Sequence, residues 1–281
     1  MKKADLHAHT TASDGTFTPA ELIAEAKRAG LDVLGITDHD STEGIAPAIE
    51  ANRGNNLTII PGIEVNCDVP GGEVHVLGYF KDVPGGALQA LLQRLRDGRR
   101  ARAQGMVDKM TALGMPIAWE RVVAFARGGS IGRPHVARAI LEAGYAANIG
   151  EVFDKYIGRS GPAYVERLKL SPAEAVEAIR QSGGVPVLAH PYYFDASGAM
   201  IKTVNPETLV PELVAAGLRG IEVYYYHYPT SAMVGLMKIA ERYRLILTGG
   251  SDFHGLTKTN TLGGVFVPWE AYERLQAELA A

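Results

Sequence analysis

The chain has 281 residues, 47% hydrophobic and 21% charged, which excludes a disordered chain and suits one large α/β domain, with or without a smaller insert. A formal net charge of −3 gives no global pull on polyanions, so a long nucleic acid or an anionic membrane is not the obvious partner and phosphate recognition must be local. Cys67 is the single cysteine, which excludes an internal disulfide and a thiolate metal cage and leaves imidazoles and carboxylates as the metal ligands.

Lys2 and Lys3 are followed by no apolar signal region, and no run of about 18 apolar residues occurs anywhere, which predicts a cytoplasmic protein. Short apolar runs predict strands over residues 4–7, 32–37, 57–65, 74–79, 185–190, 220–226 and 245–250. Helices lie between several of them. Thr18-Pro19-Ala20-Glu21 and Ser171-Pro172-Ala173-Glu174 are capping boxes with proline at the first helical position, and Gly30 ends the first helix. Alternation of this kind implies parallel βαβ units, and about seven of them favour a barrel over an open doubly wound sheet. Residues 88–164 break the rhythm, with helical patterns over 88–113, 119–126, 134–143 and 149–157 and no strand, so they read as a helical insertion. The insertion's first helix carries Arg94, Arg96, Arg99, Arg100 and Arg102, a run that faces either a nucleotide or solvent.

The chemistry starts at His7-Ala8-His9, where the period of two in a strand puts both imidazoles on one face. Taken alone the pair is a weak signal. Asp14 follows in the next loop, Asp38-His39-Asp40 ends the second strand, Glu64 ends the third, His75 lies on the fourth, His190 ends the fifth, and Asp252 and His254 follow the last. Six of the eight histidines thus gather with acids at strand ends, the rim where barrel enzymes assemble their sites. Burying so many ionisable groups together is costly unless cations neutralise the carboxylates and take the imidazole lone pairs. Mixed nitrogen and oxygen ligands suit Mn²⁺, Zn²⁺ or Fe²⁺ better than Ca²⁺ or Mg²⁺.

The sequence resembles the polymerase and histidinol phosphatase (PHP) family, whose motifs stand here as Asp5-Leu6-His7-Ala8-His9, Thr37-Asp38-His39-Asp40, Pro61-Gly62-Ile63-Glu64, Val74-His75-Val76-Leu77-Gly78-Tyr79, Ala189-His190-Pro191 and Ser251-Asp252-Phe253-His254. The resemblance implies an α/β fold, a distorted seven-stranded (β/α)7 barrel formed by residues 1–87 and 165–281, with 88–164 inserted and contributing to substrate binding. It implies two or three divalent metals, Mn²⁺ first and Zn²⁺, Fe²⁺ or Mg²⁺ as alternatives. His7, His9, Glu64 and Asp252 would hold the first, Glu64, His75 and His190 the second, and Asp14, His39 and His254 the third.

Within the family, Ile131-Gly132-Arg133-Pro134-His135-Val136-Ala137 and Tyr156-Ile157-Gly158-Arg159 resemble the branch of 3′,5′-nucleotide bisphosphate phosphatases and 5′→3′ exoribonucleases. That branch implies removal of the 3′-phosphate from a nucleoside 3′,5′-bisphosphate, with water activated between the metals and Glu64, His190, Asp252, Arg133 and His135 as the catalytic set. A histidinol-phosphate-type phosphatase, a 5′→3′ exoribonuclease acting on short RNA and a non-catalytic metal-binding module are the alternatives. Arg133 is the first candidate for gripping phosphate, since a guanidinium binds two oxygens at once. His135 is a candidate for phosphate binding or for protonating the leaving oxygen, and Arg159 and His227 for substrate contact. Tyr192 and Tyr193 are placed to stack on a base or simply to pack, Cys67 reads as a buried filler, and no obligate protein partner is inferred.

Overall fold

The structure is a computed structural model and describes residues 2–69, 72–166, 170–192, 204–257 and 259–281. Seven strands lie side by side in sequence order: β1 (Ala4–Asp5), β2 (Val33–Ile36), β3 (Thr58–Val69), β4 (Gly72–Tyr79), β5 (Val185–Ala189), β6 (Gly220–Tyr225) and β7 (Ile246–Gly250). The sheet nearly closes: Leu6 N donates to Gly249 O at 3.2 Å, and beyond the strands His9 N donates to Phe253 O at 2.9 Å. β1 pairs only two residues, so His7 and His9 lie past its regular ladder, and the isolated bridge Ala8–Phe253 keeps them alternating into the barrel mouth.

The sheet is not uniformly parallel. β4 runs antiparallel to both β3 and β5, because only two residues separate β3 from β4, far fewer than a parallel crossover needs. Reversal has a functional consequence. The N-terminal half of β4 lies at the rim where the other strands end, which is how His75, opposite Asn66 and Ala189, reaches the same mouth. The hairpin also carries β3 past the expected end at Val65 to Val69, so Glu64 sits in mid-strand instead of ending it.

Ala4, Leu6, Val33, Ile60, Leu77, Tyr79, Val185, Val187 and Ile246 fill the barrel, and Leu275 of α10 (Trp269–Ala280) closes its lower end. Both predicted capping boxes are formed, at α1 (Pro19–Arg28) and α7 (Pro172–Gln181), and Gly30 follows α1 at φ 68°, a left-handed value glycine takes without strain. α2 (Ile45–Ala51), α8 (Pro206–Ala216) and α9 (Thr230–Tyr243) complete the shell around the barrel. The long α3 (Ala87–Ala112) belongs to two cores: Leu88, Leu92 and Leu95 pack with the barrel shell, whereas Ala103, Met106, Val107 and Met110 join a separate cluster. That second cluster draws on α4 (Trp119–Ala126), α5 (Arg133–Glu142) and α6 (Ile149–Val152), which continues as a wider π turn through Phe153–Ile157. No helix among the described residues is long and apolar enough to cross a membrane.

Candidate metal centre and active-site clefts

Glu64 stands at the centre of the barrel mouth, fully buried, with imidazoles on both of its oxygens. Its Oε2 lies 3.4 Å from His7 Nε2, 3.2 Å from His9 Nε2 and 3.1 Å from His39 Nδ1, and its Oε1 lies 2.7 Å from His75 Nδ1 and 2.9 Å from His190 Nε2. Asp252 Oδ1 sits 3.4 Å from His7 Nε2, 3.1 Å from His9 Nε2 and 3.4 Å from His254 Nδ1. Asp14 Oδ1 is 3.3 Å from His254 Nε2 and 3.9 Å from His39 Nε2. All nine side chains therefore converge on one buried volume. Asp252 and Asp40 both adopt φ 50°, unusual for residues with a Cβ, and Asn260 Nδ2 holds the Asp252 carbonyl at 2.8 Å. At Gly250 a side chain is impossible, since a Cβ would lie 2.5 Å from the His7 backbone nitrogen.

The donor set fits divalent cations. His7 Nε2, both nitrogens of His9, His39 Nδ1, Asp14 Oδ1 and Glu64 Oε2 are buried without a hydrogen-bond partner, although carboxylate oxygens and imidazole nitrogens stand 3.1–3.4 Å apart. Atoms so spaced form the edge of a coordination shell with bonds of about 2.1 Å, for which edges of roughly 3.0–3.4 Å are expected. Lone pairs point at a common centre instead of sharing hydrogens. Among the described residues four groups of such donors occur, namely His7-His9-Glu64-Asp252, His39-Glu64-His75, His9-Asp14-His39-His254 and His7-His190-Glu222.

Without cations the centre stores protons. Burial favours neutral imidazoles, yet Asp252 and Glu64 outweigh it at His9, and Glu64 and Glu73 at His75, raising each to about 9. His39 goes the other way, pushed down to about 3 chiefly by burial. Cation binding needs the imidazole lone pairs, so His9 and His75 must release their protons when a metal enters at pH 7.5, while His39 has none to give. Calorimetric titration of the chelated protein in buffers of different ionisation enthalpy is expected to show proton release at pH 7.5 that shrinks as the pH rises through about 9, where His9 and His75 lose their protons without a metal. Heats independent of the buffer at pH 7.5 would refute it.

A second layer went unnoticed in the sequence. Glu222, fully buried in β6, lies 3.0 Å from His7 Nδ1 and accepts the His190 backbone N–H at 2.9 Å, fixing one imidazole and the chain that carries another. Tyr225 donates to Asp252 Oδ2 at 2.8 Å, and its ring lies 5.0 Å from that of His190. The available signal was an acid at an inward position of the apolar strand Gly-Ile-Glu-Val-Tyr-Tyr. Asp38 is no part of the cluster: it accepts from Thr10 N at 2.7 Å and Ser13 Oγ at 2.6 Å and so shapes the loop that presents Asp14.

Two clefts open from this centre and share Asp14, His39, Pro134 and Phe153. The smaller, about 350 Å³, is lined by Arg99, Arg102 and Arg133 together with Asn66, Glu73 and His75. Arg133 is paired there with Glu73 at 3.1 Å, and Arg99 joins Asp40 to Asn66, which in turn contacts His75 Nε2 at 2.9 Å. The larger, about 910 Å³, is lined by His135 with Phe17, Phe125, Arg127, Arg138 and Leu256. His135 Nδ1 accepts the Gly132 N–H at 2.9 Å, which leaves Nε2 as the hydrogen-bearing nitrogen, and burial lowers its affinity for a second proton. The basic run on α3 is split: Arg94 and Arg100 are exposed, the latter over Trp119, Arg96 donates to the Asp40 carbonyl at 3.1 Å, and Arg99 and Arg102 turn into the smaller cleft.

Two expected substrate contacts, Arg159 and His227, stand away from both clefts. Arg159 lines neither cleft, because Asp68 Oδ1 and the Gly72 carbonyl, both at 2.9 Å, hold its guanidinium and tie the insertion to the β3–β4 hairpin. His227 is exposed, with a left-handed φ of 65° and its ring tilted against that of Tyr226 at 3.9 Å. Tyr192 packs beside Tyr228, whose hydroxyl accepts the Tyr192 backbone N–H at 2.8 Å, and Tyr193 lies outside the described residues. Cys67 is buried in the shell core, as expected.

Comparison with known proteins agrees with this geometry. The profile of the PHP domain matches residues 5–100. The chain is 33% identical to the 5′-3′ exoribonuclease Rnm of Salmonella typhimurium over 97% of this chain and 94% of that one. It is equally 33% identical to the 3′,5′-nucleoside bisphosphate phosphatase of Chromobacterium violaceum, over 90% and 88% of the two chains. A crystal structure from Bifidobacterium adolescentis, named for metal-dependent phosphoesterase activity, superposes with a TM-score of 0.87 at 31% identity, covering 99% of this chain and 96% of that one. A barrel mouth built for divalent cations, together with relatives of this similarity spanning nearly the whole length, makes the chain a member of the PHP family and a metal-dependent phosphoesterase.

Proposed function

We propose that this enzyme is a phosphomonoesterase removing the 3′-phosphate of nucleoside 3′,5′-bisphosphates, with two or three Mn²⁺ ions held by His7, His9, Asp14, His39, Glu64, His75, His190, Asp252 and His254. The observation that carries the reading is the cluster of buried, unpartnered imidazole and carboxylate atoms opening onto a cleft lined by Arg99, Arg102 and Arg133. The relative from Chromobacterium violaceum supports the choice of substrate. Residues 88–164 act as an insertion in a barrel of 1–87 and 165–281 and supply the cationic wall.

Divalent ions bound here would supply a Lewis acid and lower the pKa of a coordinated water toward neutrality. The residues do the rest. Arg133 binds the non-bridging oxygens of the phosphoryl group, exchanging Glu73 for substrate as the phosphate enters. Its charge then holds that group while negative charge redistributes in the transition state. His135, neutral with its hydrogen on Nε2, donates a hydrogen bond toward the leaving oxygen. The aromatic and cationic lining of the larger cleft favours a second reading, 5′→3′ trimming of short RNA, since its volume of about 910 Å³ accommodates more than a single phosphate.

The deciding assay is phosphate release with Mn²⁺ from adenosine 3′,5′-bisphosphate, 5′-AMP, 3′-AMP, histidinol phosphate and 5′-phosphorylated RNA, each repeated after chelation. Chelator-sensitive release from the bisphosphate, with 5′-AMP left intact, is the expected result. Turnover of histidinol phosphate alone would overturn the substrate assignment and leave the metal chemistry standing.

A further inference from the structure

Arg102 is a buried cation that the fold leaves incompletely satisfied. The residue is 7% exposed, its Nε donates to the Val165 carbonyl at 2.8 Å, and its guanidinium lies over the Tyr164 ring at 5.3 Å. Its Nη2 is buried with no hydrogen-bond partner, and among the described residues no carboxylate forms an ion pair with it. Burying an uncompensated charge is expensive, more so beside a second cation, and Arg133 is close enough to help burial depress the Arg102 pKa. A fold retains such a group at a cleft wall when an anion from outside completes it.

The position narrows the anion. Both Arg102 and Arg133 line the smaller cleft, which Asp14, His39 and His75 of the metal centre line as well. Glu73 pairs with Arg133 and leaves Arg102 Nη2 without an acceptor, so the two guanidiniums of one cleft are held by different groups. Ala103, Met106 and Ile131 line the same cleft with apolar surface, suited to the carbon frame that links two charged groups. We propose that Arg102 is a specificity-determining residue that binds the non-scissile phosphate of a doubly phosphorylated substrate, leaving Arg133 for the phosphate that is cleaved. The inference rests on the bisphosphate reading above and names the group that distinguishes a bisphosphate from a monophosphate.

The test crosses two substrates with two variants. Arg102→Met keeps the length and apolar packing of the side chain without its charge, and Arg102→Lys keeps the charge. For adenosine 3′,5′-bisphosphate, Arg102→Met is expected to lower kcat/KM by roughly 10- to 30-fold, mostly through KM, as for a lost charge-assisted hydrogen bond. For 3′-AMP the same variant is expected to stay within about 2-fold of the unmodified enzyme, and Arg102→Lys to recover part of the bisphosphate loss. An equal loss on both substrates, or none on the bisphosphate, overturns the proposal. If neither nucleotide is hydrolysed, the nucleotide reading fails on that result alone, and Arg102 is judged by equilibrium dialysis of the bisphosphate, which then stays intact. Tighter binding of bisphosphate than of 3′-AMP that disappears in Arg102→Met keeps the Arg102 seat; equal binding in both proteins removes it.

Discussion

Glu64→Gln is expected to lower kcat/KM for phosphate-ester hydrolysis by about 10³-fold or more and to reduce the metal bound per chain. The two oxygens of Glu64 face different imidazole groups, Oε2 toward His7, His9 and His39, and Oε1 toward His75 and His190. Burial works against ionisation of this carboxyl, but the protonated imidazoles of His75 and His7 hold its pKa well below the ordinary value, so the site relies on a full negative charge there. Glutamine keeps the shape, removes that charge and turns an amide donor toward nitrogens that need their lone pairs for cations. Elemental analysis of the purified variant beside its kinetics separates the two possible losses. Normal metal content with normal turnover would remove Glu64 from the centre of the site.

Glu222→Ala carries the next largest expected effect, a loss of roughly 10- to 100-fold in metal affinity with a similar fall in turnover at limiting Mn²⁺. Glu222 touches no reacting group. It acts through His7 Nδ1, 3.0 Å away, and through the backbone N–H of His190 at 2.9 Å, so its removal frees a ring and leaves a buried donor unpaired. Excess Mn²⁺ is expected to restore much of the turnover, which a merely unfolded variant cannot do. Glu222→Gln should rescue poorly, because one carbonyl oxygen cannot replace two acceptors and its amide would face the His190 N–H. Metal titration curves that superpose on those of the unmodified protein would show that the carboxylate does not position the ligands.

The gathering of acids and imidazoles was legible because barrel topology converts a one-dimensional pattern into a place: strand ends meet at one rim wherever they fall in the chain. His7 and His9 needed only the period of a strand, and the caps of α1 and α7 only local hydrogen bonding. His75 was assigned to the site without the reason it reaches it, since the direction of β4 depends on the two-residue connection to β3 and on pairing with β5. Arg159 and His227 line neither cleft for reasons no periodicity carries. One depends on Asp68 standing opposite in the folded hairpin, and the other stands at a single left-handed backbone angle.

By itself the sequence determined the elements, the donor chemistry and the rim at which it collects, because each follows from interactions within a few residues or from a rule of topology. Tertiary structure alone decided which atoms of Glu64 face which imidazoles, that Glu222 and Tyr225 stand behind them, and that α3 turns Arg99 and Arg102 into the cleft while Arg96 and Arg100 are spent on the fold. Those facts depend on contacts between segments far apart in the chain, such as His7 and Glu222, 215 positions apart. Packing and burial, which no local pattern encodes, select them.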